Sequence, residues 1–347
     1  MKILVISPSW IGDTVISHSM YQLLMKKYCS NINIDVLTSI WCKDLFSHMP
    51  EISQTLFIPY RHGSLELSKC YHLGKFLKNE QYQQAIILPN SFKSALIPFF
   101  AGIPVRTGWR GEMRYGILND LRILNKTSFP LMVQRYAALA CDYNVATHFC
   151  NLPDPLPLPR LSVSDKQIEN VLCKFNLYFY RKSLIGLCPG AEFGLAKSWP
   201  HYHYITLAVR LIRDGYHVVI LGSPKDQLIN RFIKHSILNN LKQHCNNLIG
   251  ITSLGEAIAI IATCIGIVSN DSGLMHIACA LKRPVIGLYG PSNPKFTPPL
   301  FSQSIVIRHV KGYYAIRNGD SLYGYHSSLM TITPDQVFKE LKTLLMD

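Results

Sequence analysis

Four prolines at alternate positions divide the chain of 347 residues into two halves. Pro153, Pro155, Pro157 and Pro159 lie in the segment "LPDPLPLPRL", residues 152–161, where they exclude both a helix interior and a central strand. Each half, of roughly 150 to 180 residues, has the length of one compact domain. The sequence therefore predicts two domains joined by this segment.

Both halves alternate short apolar strands with helical patterns, which predicts parallel sheets. Strands are predicted at residues 2–6, 33–38, 55–58, 85–88, 216–222, 265–270 and 284–290, and a strand followed by a loop at 183–190. Helices are predicted after Gly12, with Ile16, Met20, Leu23 and Leu24 on one face, and near residues 41–48, 65–77, 131–143, 200–215, 254–264 and 273–281. The predicted fold class is α/β, with two Rossmann-like, doubly wound domains and a cleft between the carboxyl ends of their strands. Its predicted parts are a first domain at residues 1–151, a linker and lead-in at 152–182, a second domain at 183–332 and a C-terminal helix at 333–347.

The charge balance points to an anionic partner without identifying it. Lys and Arg number 35 against 21 Asp and Glu, a net charge of +14 spread over both halves. Nucleic acid, an acidic membrane surface or a phosphorylated substrate would each suit this excess.

Cysteine usage and the apolar runs predict the compartment. The ten cysteines form no C-x-x-C pair, and several lie in apolar runs, as expected of small core residues in a reducing cytoplasm. The N-terminal residues show no secretory pattern, and the longest apolar run, residues 257–268, is too short to span a bilayer. We expect a cytoplasmic protein, at most peripheral to a membrane.

The stretch "SPSWIGDTVIS", residues 7–17, places Asp13 directly behind Gly12, where the first strand leads into a helix. Gly12 is expected to allow a tight turn before that helix, so Asp13 belongs to its first turn or its cap. An aspartate here is commonly an N-cap, and the local pattern favours that interpretation. The alternative is a catalytic base, because open α/β sheets bind ligands at this edge.

The stretch "VSNDSGLMHIACAL", residues 268–281, predicts an anion site. Asp271, Ser272 and Gly273 form a polar turn between a buried strand and an apolar helix. The free N–H groups of the first helical turn suit a diphosphate, and His276, one turn further, could add a donor. The alternative is an ordinary N-cap, with His276 on a satisfied face.

A loop after the first strand of the second half carries a second candidate. In "CPGAEFGLAKSWPHYHY", residues 188–204, the small residues Gly190 and Ala191 precede Lys197, and Pro200 is expected to open a helix. A lysine at the positive end of a helix is poorly placed unless an anion binds between them. A solvated surface lysine is the alternative.

A third candidate is the polar loop "ILGSPKDQ", residues 220–227. A nucleoside could lie against Ser223 to Asp226, although a plain surface turn explains the loop equally well. No G-x-G-x-x-G follows a strand and no P-loop motif is present, which argues against dehydrogenases and P-loop kinases. The sequence also lacks H-E-x-x-H and metal-caging acidic clusters, so we expect neither a metal site nor a cofactor.

Together these stretches resemble the lipopolysaccharide heptosyltransferases of glycosyltransferase family nine. The resemblance runs over nearly the whole chain, through strings such as "PSWIGDTVISHSMY", "WRGEMRYG", "CPGAEFGLAKSWPHYHY" and "SNDSGLMHIA". It implies a GT-B fold whose first domain binds the acceptor and whose second binds an ADP-sugar. It also implies inverting transfer of L-glycero-D-manno-heptose from ADP-heptose onto the first heptose of the Kdo–lipid A core, at the inner face of the inner membrane.

The resemblance assigns roles to the candidate residues. It makes Asp13 the general base and Lys197 the catalytic lysine on the donor diphosphate. It places Asp271, Ser272, Gly273 and His276 in the nucleotide-sugar motif, and the donor loops add Gly190, Ala191, Ser223 and Asp226. Relatives often carry a basic residue after the lysine, where this sequence has Ser198.

The acceptor site is predicted from basic residues of the first half. The stretch "TGWRGEMRYG", residues 107–116, offers Arg110 and Arg114 beside aromatic rings, and Lys93 and Arg61 lie in the same half. Arginine forks suit the phosphates and carboxylates of a lipid A core. The alternative is a solvated, partly ion-paired loop.

Two other functions remain open at this point. One is the family member that adds the preceding heptose to Kdo, which shares fold and donor. The other is a non-catalytic basic protein that binds a membrane surface or nucleic acid, needs neither Asp13 nor Lys197, and leaves the motifs unexplained. The resemblance favours the enzyme acting on the heptosylated core, without a nucleic-acid partner.

Overall fold

The computed structural model of the chain describes residues 1–58, 66–144, 146–191, 194–226, 229–232, 239–312, 319–321 and 324–346. It divides into two compact units, Met1–Pro159 and Arg160–Asp347. The division falls inside the proline-rich segment 152–161. None of the helices in the described ranges is long and apolar enough to cross a membrane.

The first unit is built on a six-stranded parallel sheet of order β3-β2-β1-β4-β5-β6. Its strands are β1 (Lys2–Ile6), β2 (Asn33–Thr38), β3 (Ile52–Phe57), β4 (Gln84–Ile87), β5 (Val105–Trp109) and β6 (Asp120–Arg122). Its described helices are α1 (Ile11–Ile16), α2 (His18–Lys27), α3 (Lys43–Phe46), α4 (Leu67–Leu77), α5 (Phe92–Phe100) and α6 (Met132–Ala137). The strand order reverses between β1 and β4, which is the doubly wound pattern predicted from the sequence.

The start of the first unit differs from the prediction in two details. The single helix expected after Gly12 is two helices, because Ser17 lies between them with its hydroxyl donating to the carbonyl of Thr14 at 2.8 Å. Gly12 does not form a turn before the helix; it is the second residue of α1. The predicted apolar face is nonetheless buried, as shown by Ile16, Met20, Leu23 and Leu24.

The second unit repeats the pattern with the strand order β12-β11-β10-β7-β8-β9. Its strands are β7 (Leu184–Cys188), β8 (His217–Ile220), β9 (Cys245–Asn247), β10 (Gly266–Asn270), β11 (Val285–Leu288) and β12 (Ser304–Ile307). Its described helices are α7 (Asp165–Lys174), α8 (His201–Arg213), α9 (Leu254–Ile261), α10 (Gly273–Ala280), α11 (Ser327–Met330) and α12 (Pro334–Met346). The C-terminal helix α12 belongs to the core of this unit, into which Val337, Leu341 and Leu344 are packed.

The carboxyl ends of the strands carry the candidate loops in both units. Asp13 follows β1 in the first unit, while in the second the segments around Gly190, Ser223 and Asp271 follow β7, β8 and β10. β1, β7 and β10 lie next to the point where the strand order reverses, and β8 is the neighbour of β7. Ligands of doubly wound sheets bind at this edge.

Candidate active site

Asp13 lies in the first turn of α1, and it is not the cap of that helix. The N-cap position is Trp10, without a side-chain cap bond. The carboxylate of Asp13 instead accepts a hydrogen bond at 3.2 Å from the hydroxyl of Tyr136 on α6. Burial and the negative charge of Asp13 hold the pKa of Tyr136 well above its ordinary value, so this hydroxyl remains a donor. The capping interpretation is therefore wrong.

A buried asparagine at the end of β10, which sequence reasoning did not single out, organises the candidate donor site. The side-chain amide of Asn270 donates to the carbonyl of Pro189 at 2.7 Å, and its oxygen accepts from the backbone N–H of Trp199 at 2.9 Å and the hydroxyl of Tyr204 at 3.1 Å. Asn270 thus ties together the end of β10, the loop after β7 and the start of α8. Its place directly before the polar turn was the only signal in the sequence.

The structure brings Lys197 and Asp271 together. The Lys197 ammonium lies 3.9 Å from the Asp271 carboxylate, and both side chains are partly buried. The negative charge offsets the unfavourable position of a cation shortly before α8, which begins at His201 with Pro200 as its cap. Ser198 is 2% exposed, so the position after the lysine presents no polar group to a ligand.

The turn before α10 leaves its first N–H groups without a side-chain cap. Ser272 occupies the N-cap position, but its hydroxyl lies 3.2 Å from that of Ser269 and caps no helical N–H. Gly273 begins the helix, so no side chain covers its first turn.

His276 lies one turn into α10 and is almost completely buried. Its Nδ1 has no hydrogen-bond partner within the described ranges, so the satisfied face considered from the sequence is not found. Burial lowers the pKa of His276, against the opposing effect of Asp271, and the ring is neutral near pH 7. The unused nitrogen is itself buried, so the structure does not present it to a ligand.

The loops after β7 and β8 are interlocked. The carboxylate of Asp226 accepts hydrogen bonds from the backbone N–H and the hydroxyl of Ser223, both at 2.8 Å. A Cβ atom on Gly190 would lie 2.6 Å from an Asp226 carboxylate oxygen, so a larger residue there would displace this carboxylate. Ser223 is exposed, and Ala191 is partly exposed beside Gly190. The internal bonds of Ser223 and Asp226 agree with the surface-turn interpretation of this loop.

Arg114 does not belong to an acceptor site, contrary to the prediction from the sequence. Its side chain is 1% exposed, and its guanidinium donates to the carbonyls of Pro89, at 2.7 Å, and Trp109. Burial lowers the pKa of Arg114 to about 10. The residue holds two loops together and is not available to an acceptor.

The other acceptor candidates are placed differently. Arg110 is exposed and Lys93 is partly exposed in the first turn of α5. Glu112, which lies between Arg110 and Arg114 in the sequence, accepts the backbone N–H of Phe92 at 2.7 Å, at the start of the same helix. Arg61 lies outside the described residues.

The family model for glycosyltransferase family 9 (heptosyltransferase) matches residues 70–326. The chain belongs to this family. It is 51% identical to lipopolysaccharide heptosyltransferase 2 of Escherichia coli (strain K12) over 100% of the chain and 99% of that relative. The solved structure of E. coli ADP-heptose LPS heptosyltransferase II is 48% identical, with a TM-score of 0.90 over 100% of this chain and 99% of that one.

Family membership decides between the functions left open by the sequence. The chain is a glycosyltransferase of the GT-B fold class, as predicted, and not a non-catalytic basic protein. Similarity to lipopolysaccharide heptosyltransferase 1 of Pseudomonas aeruginosa is lower, at 28% identity over 86% of the chain and 81% of that relative. The heptosyltransferase 2 branch is therefore the nearer one.

Proposed function

We propose that this enzyme is an inverting glycosyltransferase that moves L-glycero-D-manno-heptose from ADP-heptose onto the first heptose of the Kdo–lipid A core. The observation that carries the proposal is the identity of about one half, over the full length, with E. coli heptosyltransferase 2. The much lower identity with a heptosyltransferase 1 favours the second heptose addition over the first.

On the donor side, the proposal assigns the diphosphate of ADP-heptose to the turn before α10 and to Lys197. Charge develops on the departing ADP, and N–H groups at a helix start together with a cation stabilise it. The Asp271 carboxylate lies 3.9 Å from the Lys197 ammonium. At this distance it orients the cation but does not form a short, charge-assisted hydrogen bond with it. The proposal also keeps His276, one turn into the same helix, in the nucleotide-sugar motif.

On the acceptor side, Asp13 receives the proton of the attacking hydroxyl. The oxygen of the acceptor forms a bond to the anomeric carbon, the bond from that carbon to the ADP oxygen breaks, and ADP leaves with the electron pair. An aspartate is a weak base, but it needs to accept the proton only as the transition state develops. Alignment of the substrates and stabilisation of the leaving group supply the rest of the rate.

Acceptor binding and location extend the proposal. Arg110 and Lys93, with Arg61, would meet the phosphates and carboxylates of the inner core. Because the acceptor is a lipid and the chain carries a charge of +14, we expect a cytoplasmic enzyme in peripheral contact with the inner membrane, and no nucleic-acid partner.

The test is Asp13→Asn, assayed by mass spectrometry of the heptosylated product. The variant should lose about 10²- to 10⁴-fold in transfer, because the amide cannot accept the proton, while ADP binding survives. Asp142→Asn, which changes an exposed acidic residue of the same unit paired with Lys27, should transfer normally. Normal turnover by Asp13→Asn would show that another group is the base.

A further inference from the structure

Two of the four tryptophans are exposed, and both lie beside the proposed base. Trp109 and Trp199 are buried, with exposed fractions of 3% and 0%. Trp10 and Trp41 keep 38% and 49% of their surface exposed. A single exposed tryptophan needs no explanation, but two at one edge of the sheet, next to a candidate catalytic group, indicate a binding surface.

The backbone places both rings near Asp13. Trp10 is the N-cap residue of α1 and stands three positions before Asp13, so the two side chains leave the same turn of the helix. Trp41 lies in a short 3₁₀ helix, Ile40–Cys42, that follows β2 at the carboxyl edge of the sheet. Its indole Nε1 donates to the carbonyl of Ser9 at 2.9 Å, directly beside Trp10 in the chain.

This hydrogen bond fixes the orientation of the Trp41 ring. The only polar atom of the indole is used on the protein, so the contact that remains for a ligand is the apolar face of the ring. The segment beneath is also held, because the hydroxyl of Thr14 donates to the carbonyl of Trp10 at 2.9 Å. An aromatic face fixed in this way loses little conformational entropy when it binds.

We propose that Trp41, together with Trp10, forms a tryptophan platform on which a sugar ring of the acceptor oligosaccharide stacks, so that its hydroxyl is presented to Asp13. The inference rests on the proposed function, since it takes Asp13 as the base. A hydroxyl that gives its proton to Asp13 must lie within about 3 Å of the carboxylate. The sugar ring that bears this hydroxyl, or the neighbouring sugar ring of the acceptor, then contacts side chains about one helical turn from Asp13, such as Trp10.

The competing occupant of two exposed tryptophans is the bilayer interface, where such rings are also favoured. A soluble, fully deacylated acceptor separates the two, because it presents the same sugars without a membrane. With this acceptor, Trp41→Ala should raise the acceptor KM by about five- to tenfold, and kcat and ADP affinity should stay close to the wild-type values. Trp41→Phe, which keeps a flat aromatic face, should recover most of the loss.

Phe179→Ala is the matched control. Phe179 is an aromatic residue of the second unit with 92% of its surface exposed, so its removal should leave the acceptor KM unchanged. Trp41→Ala must also keep its thermal midpoint within a few degrees of wild type, which the half-exposed position allows.

Tryptophan fluorescence gives a second readout that does not depend on turnover. Titration of the deacylated acceptor, without donor, should change the emission of the wild type, and this change should be smaller in Trp41→Phe, where Trp10 alone still reports binding. An unchanged acceptor KM in Trp41→Ala, or a loss seen only with membrane-embedded acceptor, would overturn the platform while the wild type still transfers heptose. A wild-type chain inert toward both donor and acceptor would overturn the proposed function as well.

Discussion

Asp13 is oriented by a residue 123 positions away in the sequence, the buried Tyr136. Removing this donor by Tyr136→Phe makes the ionised carboxylate less favourable. The acidic limb of the pH profile of kcat/KM should therefore move to higher pH, while the rate at high pH changes little. Tyr143→Phe, which loses a hydroxyl bonded to the carbonyl of Ile123, is the matched control and should keep the wild-type profile. An unshifted profile in Tyr136→Phe would remove Tyr136 from the positioning of Asp13.

Lys197 is the residue on which the proposed donor site depends most. Lys197→Met keeps the length of the side chain but removes its charge, and it leaves Asp271 facing the incoming diphosphate without its cation. We expect ADP affinity, measured by calorimetry, to fall by about ten- to a hundredfold. Lys166→Met, at an exposed position of α7, should bind ADP like the wild type. Equal affinity in the two variants would take Lys197 out of the diphosphate site.

At single residues, sequence reasoning succeeds where chemistry and position coincide. Lys197 and Asp271 were both singled out as polar residues beside helix starts, and the structure brings their charges to 3.9 Å. Arg114 shows why others fail, because an arginine in a polar loop has the same sequence pattern whether it faces solvent or buried carbonyls. Asn270 was missed because its three hydrogen bonds are to residues at least 66 positions away.

At the scale of elements, the sequence predicts eight of the twelve described strands, misses β5, β6, β9 and β12, and misplaces helix ends. Buried parallel strands are continuous apolar runs, so β1, whose last four residues are Ile3 to Ile6, begins and ends as predicted, at Lys2 and Ile6. The helix expected over residues 131–143 spans only Met132–Ala137, because the Arg122 guanidinium takes up the carbonyls of Ala138, at 2.9 Å, and Cys141, at 3.0 Å. The apolar periodicity of residues 131–143 does not show the effect of Arg122, because this side chain comes from another part of the sequence.

The interlocked loops after β7 and β8 give a prediction at this scale. Gly190→Ala would push the Asp226 carboxylate away from Ser223, so both thermal stability and ADP affinity should decrease. The comparison variant is Gly74→Ala in α4 of the first unit, whose added methyl group would lie 2.5 Å from the Phe100 Cβ atom. It should destabilise by about 1–3 kcal/mol without weakening ADP binding by the folded protein. Undiminished ADP affinity in Gly190→Ala would separate this loop from the donor site.

At the scale of the whole molecule, the predicted fold class is confirmed because it rests on many residues at once. Eight predicted strands with helical segments between them indicate two doubly wound sheets, even though each sheet has six strands and individual ends are misplaced. The local pattern left the role of Asp13 undecided, since a cap and a base occur at the same position. The structure shows that Asp13 is not the helix cap, and its role as the base stays a proposal.

The stability of the second unit should depend on pH. Burial lowers the pKa of four of its imidazoles, those of His201, His203, His217 and His276. Below about pH 6.5 the unfolded chain binds protons that these folded imidazoles do not, so the free energy of unfolding falls as pH decreases. The thermal midpoint should be lower at about pH 5.5 than at about pH 7.5, and His217→Gln should reduce this difference.

The control for this pH dependence is His72→Gln, which replaces an exposed imidazole of α4 and should leave the difference as it is in the wild type. A thermal midpoint independent of pH in the wild type would contradict the assignment of neutral, buried imidazoles.

The central claim is the transfer of a second heptose to the inner core, and mass spectrometry tests it most directly. The purified enzyme is incubated with ADP-heptose and, separately, with Kdo–lipid A and with the same acceptor already carrying one heptose. We predict the mass gain of one heptose on the heptosylated acceptor alone. A gain on Kdo–lipid A, or no gain on either acceptor while ADP still binds, would contradict the account.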